Sequence, residues 1–93
     1  MNLTQEQLKE LEVLAGLFFS IPEILTALGI PLHQEGEFSE VIKYDHSHPV
    51  FAAYQKGRLT AETQLRQAIW QAALNGSNLA QSTMLEFLNN SKP

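Results

Sequence analysis

The chain has 93 residues, no cysteine and a net charge of −4. That length makes one small domain with a modest core, and the lack of cysteine excludes a disulfide scaffold and points to an intracellular setting. No apolar run approaches the ~20 residues of a membrane span, and Met1 to Glu6 lacks the basic and apolar segments that open a signal peptide.

Helical periodicity runs from end to end, and the pattern predicts five helices and no sheet. The first has a sharp start. Thr4 is a good N-cap, Gln7 completes a capping box, and Leu3 and Leu8 stand at the staple positions. Leu8, Leu11, Ala15 and Phe18 recur at helical spacing, with Leu14 and Phe19 widening the stripe. The second helix repeats the signal with Ser20 and Glu23, and Pro22 falls in its first turn, where a missing N–H costs little. Ile21, Ile24, Leu25 and Leu28 form its apolar side, Gly29 stops it, and Ile30-Pro31 prevents easy continuation. Thr4 to Ile30 therefore reads as the opening of a helix-turn-helix.

Leu32 to Lys43 should hold the third, recognition helix, with Phe38, Val41 and Ile42 as its core contacts. Gly36 within it favours a short helix starting near Glu37, followed by a polar connection at Tyr44-Asp45-His46-Ser47. The fourth helix should run from Pro49 to about Leu74, on the order of 40 Å, with Ser47 or His48 as cap and Asn75-Gly76 as stop. One stripe on it is Val50, Phe51, Tyr54, Ala61, Leu65, Ala68, Ile69 and Ala72; a second is Ala52, Leu59, Trp70 and Leu74. A helix apolar on two sides needs more than one packing partner. Gly57 lies inside it and is expected to loosen or bend it. A fifth helix, capped by Asn78 and Gln81 and carrying Leu79, Met84, Leu85, Phe87 and Leu88, should fold back on the fourth as an αα-hairpin, with Asn89 to Pro93 as a fraying tail. The single domain thus has a helix-turn-helix part, 1–46, and a hairpin part, 47–93.

The charge is unevenly spread. Residues 1–46 carry Glu6, Glu10, Glu12, Glu23, Glu35, Glu37, Glu40 and Asp45 against Lys9 and Lys43. The half that looks like a DNA reader is the acidic half, and it should bind DNA weakly by itself, since phosphate binding relies on Lys and Arg displacing counterions. Lys43, Lys56 and Arg58 are the cations that could flank a phosphate path, or else simply lie on solvated surface. His33 and Gln34 stand where the first side chains of a recognition helix would be, or in a surface turn.

Asp45, His46 and His48 invite a metal reading, but zinc needs about four ligands and the chain offers one further histidine, His33. No metal or other cofactor is expected. There is no P-loop or dinucleotide fingerprint, and Ser47 beside these groups does not make a triad, so no enzyme is expected either. Leu59, Trp70 and Leu74 either pack within the chain or form a subunit interface, where tryptophan is a common anchor.

The order of these features resembles the small terminase subunits of tailed phages and related homeodomain-like helix-turn-helix proteins. The resemblance rests on the turn Ala27-Leu28-Gly29-Ile30 and on the long-helix entry His48-Pro49-Val50-Phe51-Ala52-Ala53-Tyr54-Gln55-Lys56-Gly57-Arg58. The turn Ala73-Leu74-Asn75-Gly76 and the helix Asn78 to Leu88 continue it, so that it covers roughly Thr4 to Leu88. It implies a self-associating subunit in a bacterial host cell, phage or prophage encoded, that binds double-stranded DNA for packaging and engages a terminase large subunit. The helix-turn-helix would contact DNA and the long helices would assemble the subunits. A second reading keeps the fold but makes its acidic face a protein-binding surface without DNA.

Overall fold

Local hydrogen bonds start and stop the helices of the computed structural model, which describes residues 1–91. The chain forms α1 (Gln5–Gly16), α2 (Ile21–Leu28), a 3-10 turn (Leu32–Gln34), α3 (Glu35–Tyr44), α4 (Pro49–Leu74) and α5 (Asn78–Asn90). There is no strand among the described residues. It is an all-α fold: an N-terminal helix-turn-helix, then a long helix and a shorter one paired as a hairpin.

Of the three expected capping boxes, the two at α1 and α2 are made. Gln7 N–H donates to Thr4 Oγ1 at 3.1 Å, and Thr4 N–H donates to Gln7 Oε1 at 2.9 Å. The Gln7 amide also donates from Nε2 to the Leu28 carbonyl at 3.2 Å, tying the start of α1 to the end of α2. At α2, Ser20 N–H donates to Glu23 Oε1 at 3.0 Å and Glu23 N–H to Ser20 Oγ at 3.4 Å. The bond from the Ser20 backbone, then that from its side chain, hold the Glu23 carboxyl below its ordinary pKa. A lowered folded-state pKa means stability that is present above the unfolded pKa and is lost as pH falls through the folded one. Glu23→Gln keeps an acceptor for the Ser20 N–H but cannot titrate. Thermal melts at neutral pH and near pH 3 should therefore show a smaller acid-induced drop for Glu23→Gln than for the parent.

Three helices end in the same way. Gly29, with φ 73°, closes α2 as Ile30 N–H reaches back to Leu25 O at 2.9 Å, and Gly76, with φ 96°, closes α4 as Ser77 N–H reaches Ala72 O at 3.1 Å. α1 makes the same closure, Phe19 N–H to Leu14 O at 3.4 Å, but its left-handed residue is Phe18, with φ 61°. Phe18 therefore does not continue the α1 stripe; α1 stops at Gly16 and the ring lies about half exposed. A non-glycine residue here costs about 1 kcal/mol. The Arg58 guanidinium, 4.9 Å from the ring centroid, offsets part of that cost.

Two other boundaries differ from the sequence expectation. α3 starts at Glu35 rather than near Glu37, because the 3-10 turn, with Gln34 N–H on Pro31 O at 3.0 Å, feeds directly into it and Gly36 sits in open space. The cap of α5 is Ser77, whose Oγ accepts from Ala80 N–H at 3.2 Å, not Asn78; Gln81 instead donates to the Ala73 carbonyl at 3.1 Å. His48 takes the capping role at α4, its Nδ1 accepting from Val50 N–H at 3.1 Å. Asn89 and Asn90 belong to α5, while Lys92 and Pro93 of the expected tail lie outside the described residues.

The chain divides into two compact units, Met1–Ala61 and Glu62–Pro93, with the division inside α4. In the first unit, Leu11, Ile24, Leu25, Leu28, Ile30, Phe38 and Val50 form one buried cluster, flanked by Leu3, Leu8, Leu14, Val41, Ile42 and Tyr54. Phe38 meets Tyr54 edge-on, 6.4 Å between centroids. The opening turns of α4 belong here for a specific reason. Gly57 is buried against the backbone of α1: a Cβ built on it would overlap the Glu12 carbonyl oxygen. A Cβ on Gly16 would lie 3.0 Å from the Gly57 carbonyl oxygen. Gly57 is thus the point of closest helix approach rather than a loosening residue.

In the second unit, the last turns of α4 pair with α5 as an αα-hairpin. Arg66 bonds Glu62 at 3.3 Å and lies 3.9 Å over the Phe87 ring. Only Ala73 and Ala80 are buried among its described residues. The first α4 stripe consequently does not continue as core beyond Ala61: Leu65 is 54% exposed and Ala68 is exposed.

Candidate nucleic-acid interface

The helix-turn-helix is built from α2, the left-handed Gly29, the 3-10 turn and α3. Phe38 fixes α3 in the core from one side, and Val41 and Ile42 pack beside it. Away from Phe38, α3 presents Gly36, Glu37, Glu40, Lys43 and Tyr44 to solvent, and Glu35 is exposed at its first residue. Glu37 pairs with the Met1 amino group at 2.9 Å. Glu37, Glu40, Tyr44 and Asp45 line a shallow recess with Val41, so the outward end of α3 is mainly acidic.

The five residues proposed from sequence to meet DNA fall into two groups. His33 and Gln34 lie in the 3-10 turn at the entrance to α3, His33 exposed and Gln34 partly covered. Lys43 lies in the last turn of α3, exposed and without a hydrogen bond or ion pair among the described residues. These three share the 3-10 turn and α3, with about 13 Å of helix rise between Gln34 and Lys43. Lys56 and Arg58 lie on α4 and already have partners. Lys56 stands 3.7 Å from Glu12 across the Gly57 crossing, and Arg58 lies over Phe18 and, at 5.8 Å, over Tyr54. Lys56 is well exposed, so its pair with Glu12 is a weak one. Arg58 is partly buried and is committed to packing as much as to charge.

Tyr44 is a further residue that the sequence misplaced. It is the last residue of α3 rather than part of the connection, and its phenol is exposed next to Lys43. The helix carries through Tyr44 because Asp45 N–H still bonds Val41 O at 3.1 Å. The loop that follows is occupied by structural roles. Ser47 Oγ donates to Asp45 Oδ1 at 3.1 Å, His46 stacks on Phe51 with 4.6 Å between centroids, and His48 caps α4. Among the described residues no group of three or more His, Asp or Glu side chains converges as metal ligands would.

The expected association residues are divided between the units. Leu59 is exposed in the first; Trp70 and Leu74 line an apolar groove in the second with Met84, Leu85 and Leu88. No helix among the described residues is long and apolar enough to cross a membrane.

Fold and surface together define an all-α helix-turn-helix chain with a hairpin following it. No protein-family model, curated protein or solved structure matches the chain.

Proposed function

We propose that the chain is a helix-turn-helix DNA-binding adaptor, similar to the small terminase subunits of tailed phages, acting in a bacterial host cell on viral DNA. It works by positioning and assembly, not by catalysis, and needs no metal or cofactor. Several subunits associate on one duplex, and a large terminase subunit is the protein partner this reading implies. The observation that carries it is the α2–Gly29–α3 arrangement, in which His33, Gln34, Lys43 and Tyr44 are left at the surface of the recognition segment. Lys56 adds charge nearer α1, while Arg58 serves mainly to hold Phe18 and Tyr54.

A second reading is a protein-interaction module whose acidic face takes a basic partner. The crowding of Glu35, Glu37, Glu40 and Asp45 on and after α3 favours it. Salt-dependent duplex binding separates the two. An isolated subunit should bind at micromolar strength or worse and lose affinity steeply with salt. Lys43→Ala should weaken binding on all sequences alike and flatten the salt slope by about one unit, as loss of one phosphate contact does. Glu37→Gln with Glu40→Gln should strengthen binding by removing repulsion. No binding by the associated protein at low salt, with or without the Glu changes, would leave only the protein-partner reading.

A further inference from the structure

The hairpin of the second unit has a surface that its own two helices do not cover. Leu74 is 61% exposed, Leu85 59%, Leu88 56% and Trp70 48%, and all four line one groove along α4 and α5. Among the described residues the only buried ones in the seam between the two helices are small, Ala73 and Ala80. Alanines let the helices approach closely; Ile69, Met84 and Phe87 are only partly covered, and Trp70, Leu74, Leu85 and Leu88 are left exposed on the flanks. A hairpin of this size with two buried alanines has too little core to hold itself together. Some other surface must cover it.

We propose that the groove is covered by the same hairpin of a second copy of this chain, giving a four-helix bundle. Three features of the groove favour that occupant. First, its chemistry is apolar and carries no free charge: the one cation in its lining, Arg66, is already held by Glu62 and the Phe87 ring. An acidic or basic peptide, or a phosphate backbone, would find nothing to answer its charge. Second, its length matches. The lining runs from Arg66 to Leu74 on α4 and from Gln81 to Ser91 at the end of α5, about 12 Å and 15 Å of helix rise, so about three turns of a second copy's α5 cover it lengthwise. Third, the lining side chains stand out as knobs while they form the groove, which is the self-complementarity a two-fold interface needs. The four large residues with the exposed flanks of Arg66, Met84 and Phe87 offer on the order of 600 Å² per copy, the low end of a stable dimer interface. Small-residue seams and large flanking residues then interleave as in antiparallel bundles.

This inference deepens the association invoked above and rests on it, but not on DNA binding. Trp70 is the sole tryptophan of the chain and sits in the groove, so its emission reports coverage directly. The unmodified full chain is diluted from about 100 to 1 μM, the range in which a small interface dissociates. Sedimentation gives the mass and fluorescence the Trp70 environment. The expected result is a two-chain mass whose loss on dilution coincides with a red shift of Trp70 emission. Leu85→Glu and Leu88→Glu should each weaken association by roughly 30-fold or more. A single-chain mass at every concentration overturns the proposal. So does association that leaves Trp70 emission unchanged, which would place the contact on another surface. A single-chain protein whose Trp70 emission shifts only on adding duplex DNA or a host protein also overturns it. Because the dilution series uses the unmodified chain, a variant that unravels the hairpin does not blur the outcome. A two-chain protein that ignores DNA keeps this inference and removes the DNA-binding reading; a one-chain protein that binds DNA does the reverse.

Discussion

Gly57→Ala should destabilise the protein by about 2–4 kcal/mol, because the new methyl group would enter the Glu12 carbonyl and force α1 and α4 apart. Backbone cannot move aside as a flexible side chain can. Net stabilities of small domains are about 5–15 kcal/mol, so a loss of this size should lower the midpoint of a thermal melt by ten degrees or more. Gly36→Ala provides the contrast. Nothing lies within 4 Å of a Cβ there, and the residue is in the first turns of a helix, so alanine should be neutral or stabilise by up to about 1 kcal/mol. Melts that show equal effects at the two glycines would mean that the helix crossing is not formed in solution.

Phe38→Ala should cost about 3–5 kcal/mol. Phe38 is fully buried in the first unit and meets Tyr54 edge-on, so truncation loses both apolar burial and the ring contact. It is also what fixes the inner side of α3. The variant should therefore lose helical circular dichroism cooperatively at a much lower denaturant concentration. Phe38→Leu, which keeps most of the volume, should lose far less. A Phe38→Ala protein with near-parent stability would show that α3 is not docked on α2 as described.

The parts legible in sequence were those whose chemistry closes within a few residues. The boxes at Thr4–Gln7 and Ser20–Glu23 are such cases, and so are the stops at Gly29 and Gly76 and the limits of α4. Each is a donor and an acceptor, or a left-handed glycine, within one turn of a helix. Gly57 was misread because a glycine in a helix has two opposite meanings, and only a backbone far along the chain, here at Glu12, decides between them. Phe18 was misread for a similar reason: it fits a helical stripe, and nothing nearby announces that α1 ends at Gly16 and that Arg58 lies on the ring. The same long-range partners separate the cations. Lys43, Lys56 and Arg58 look alike in the sequence, yet one is free among the described residues and two are engaged by Glu12, Phe18 and Tyr54. The acidity of the α3 surface, by contrast, was readable directly, since helical spacing turns Glu37 and Glu40 away from the side on which Phe38 faces inward.

The Gln7 side chain uses both ends of its amide: the oxygen accepts from the first turn of α1 and the nitrogen donates to the last carbonyl of α2. Two helix termini that would ordinarily fray independently are thereby bound to one rotamer. Opening the start of α1 releases the end of α2, and the turn that leads to α3 loses an anchor in the same event. In hydrogen-exchange terms, amides around Thr4 and those around Gly29 should belong to one opening unit despite their distance in the chain. The placement of α3 then depends on one uncharged side chain at the start of α1 as well as on Phe38 in the core.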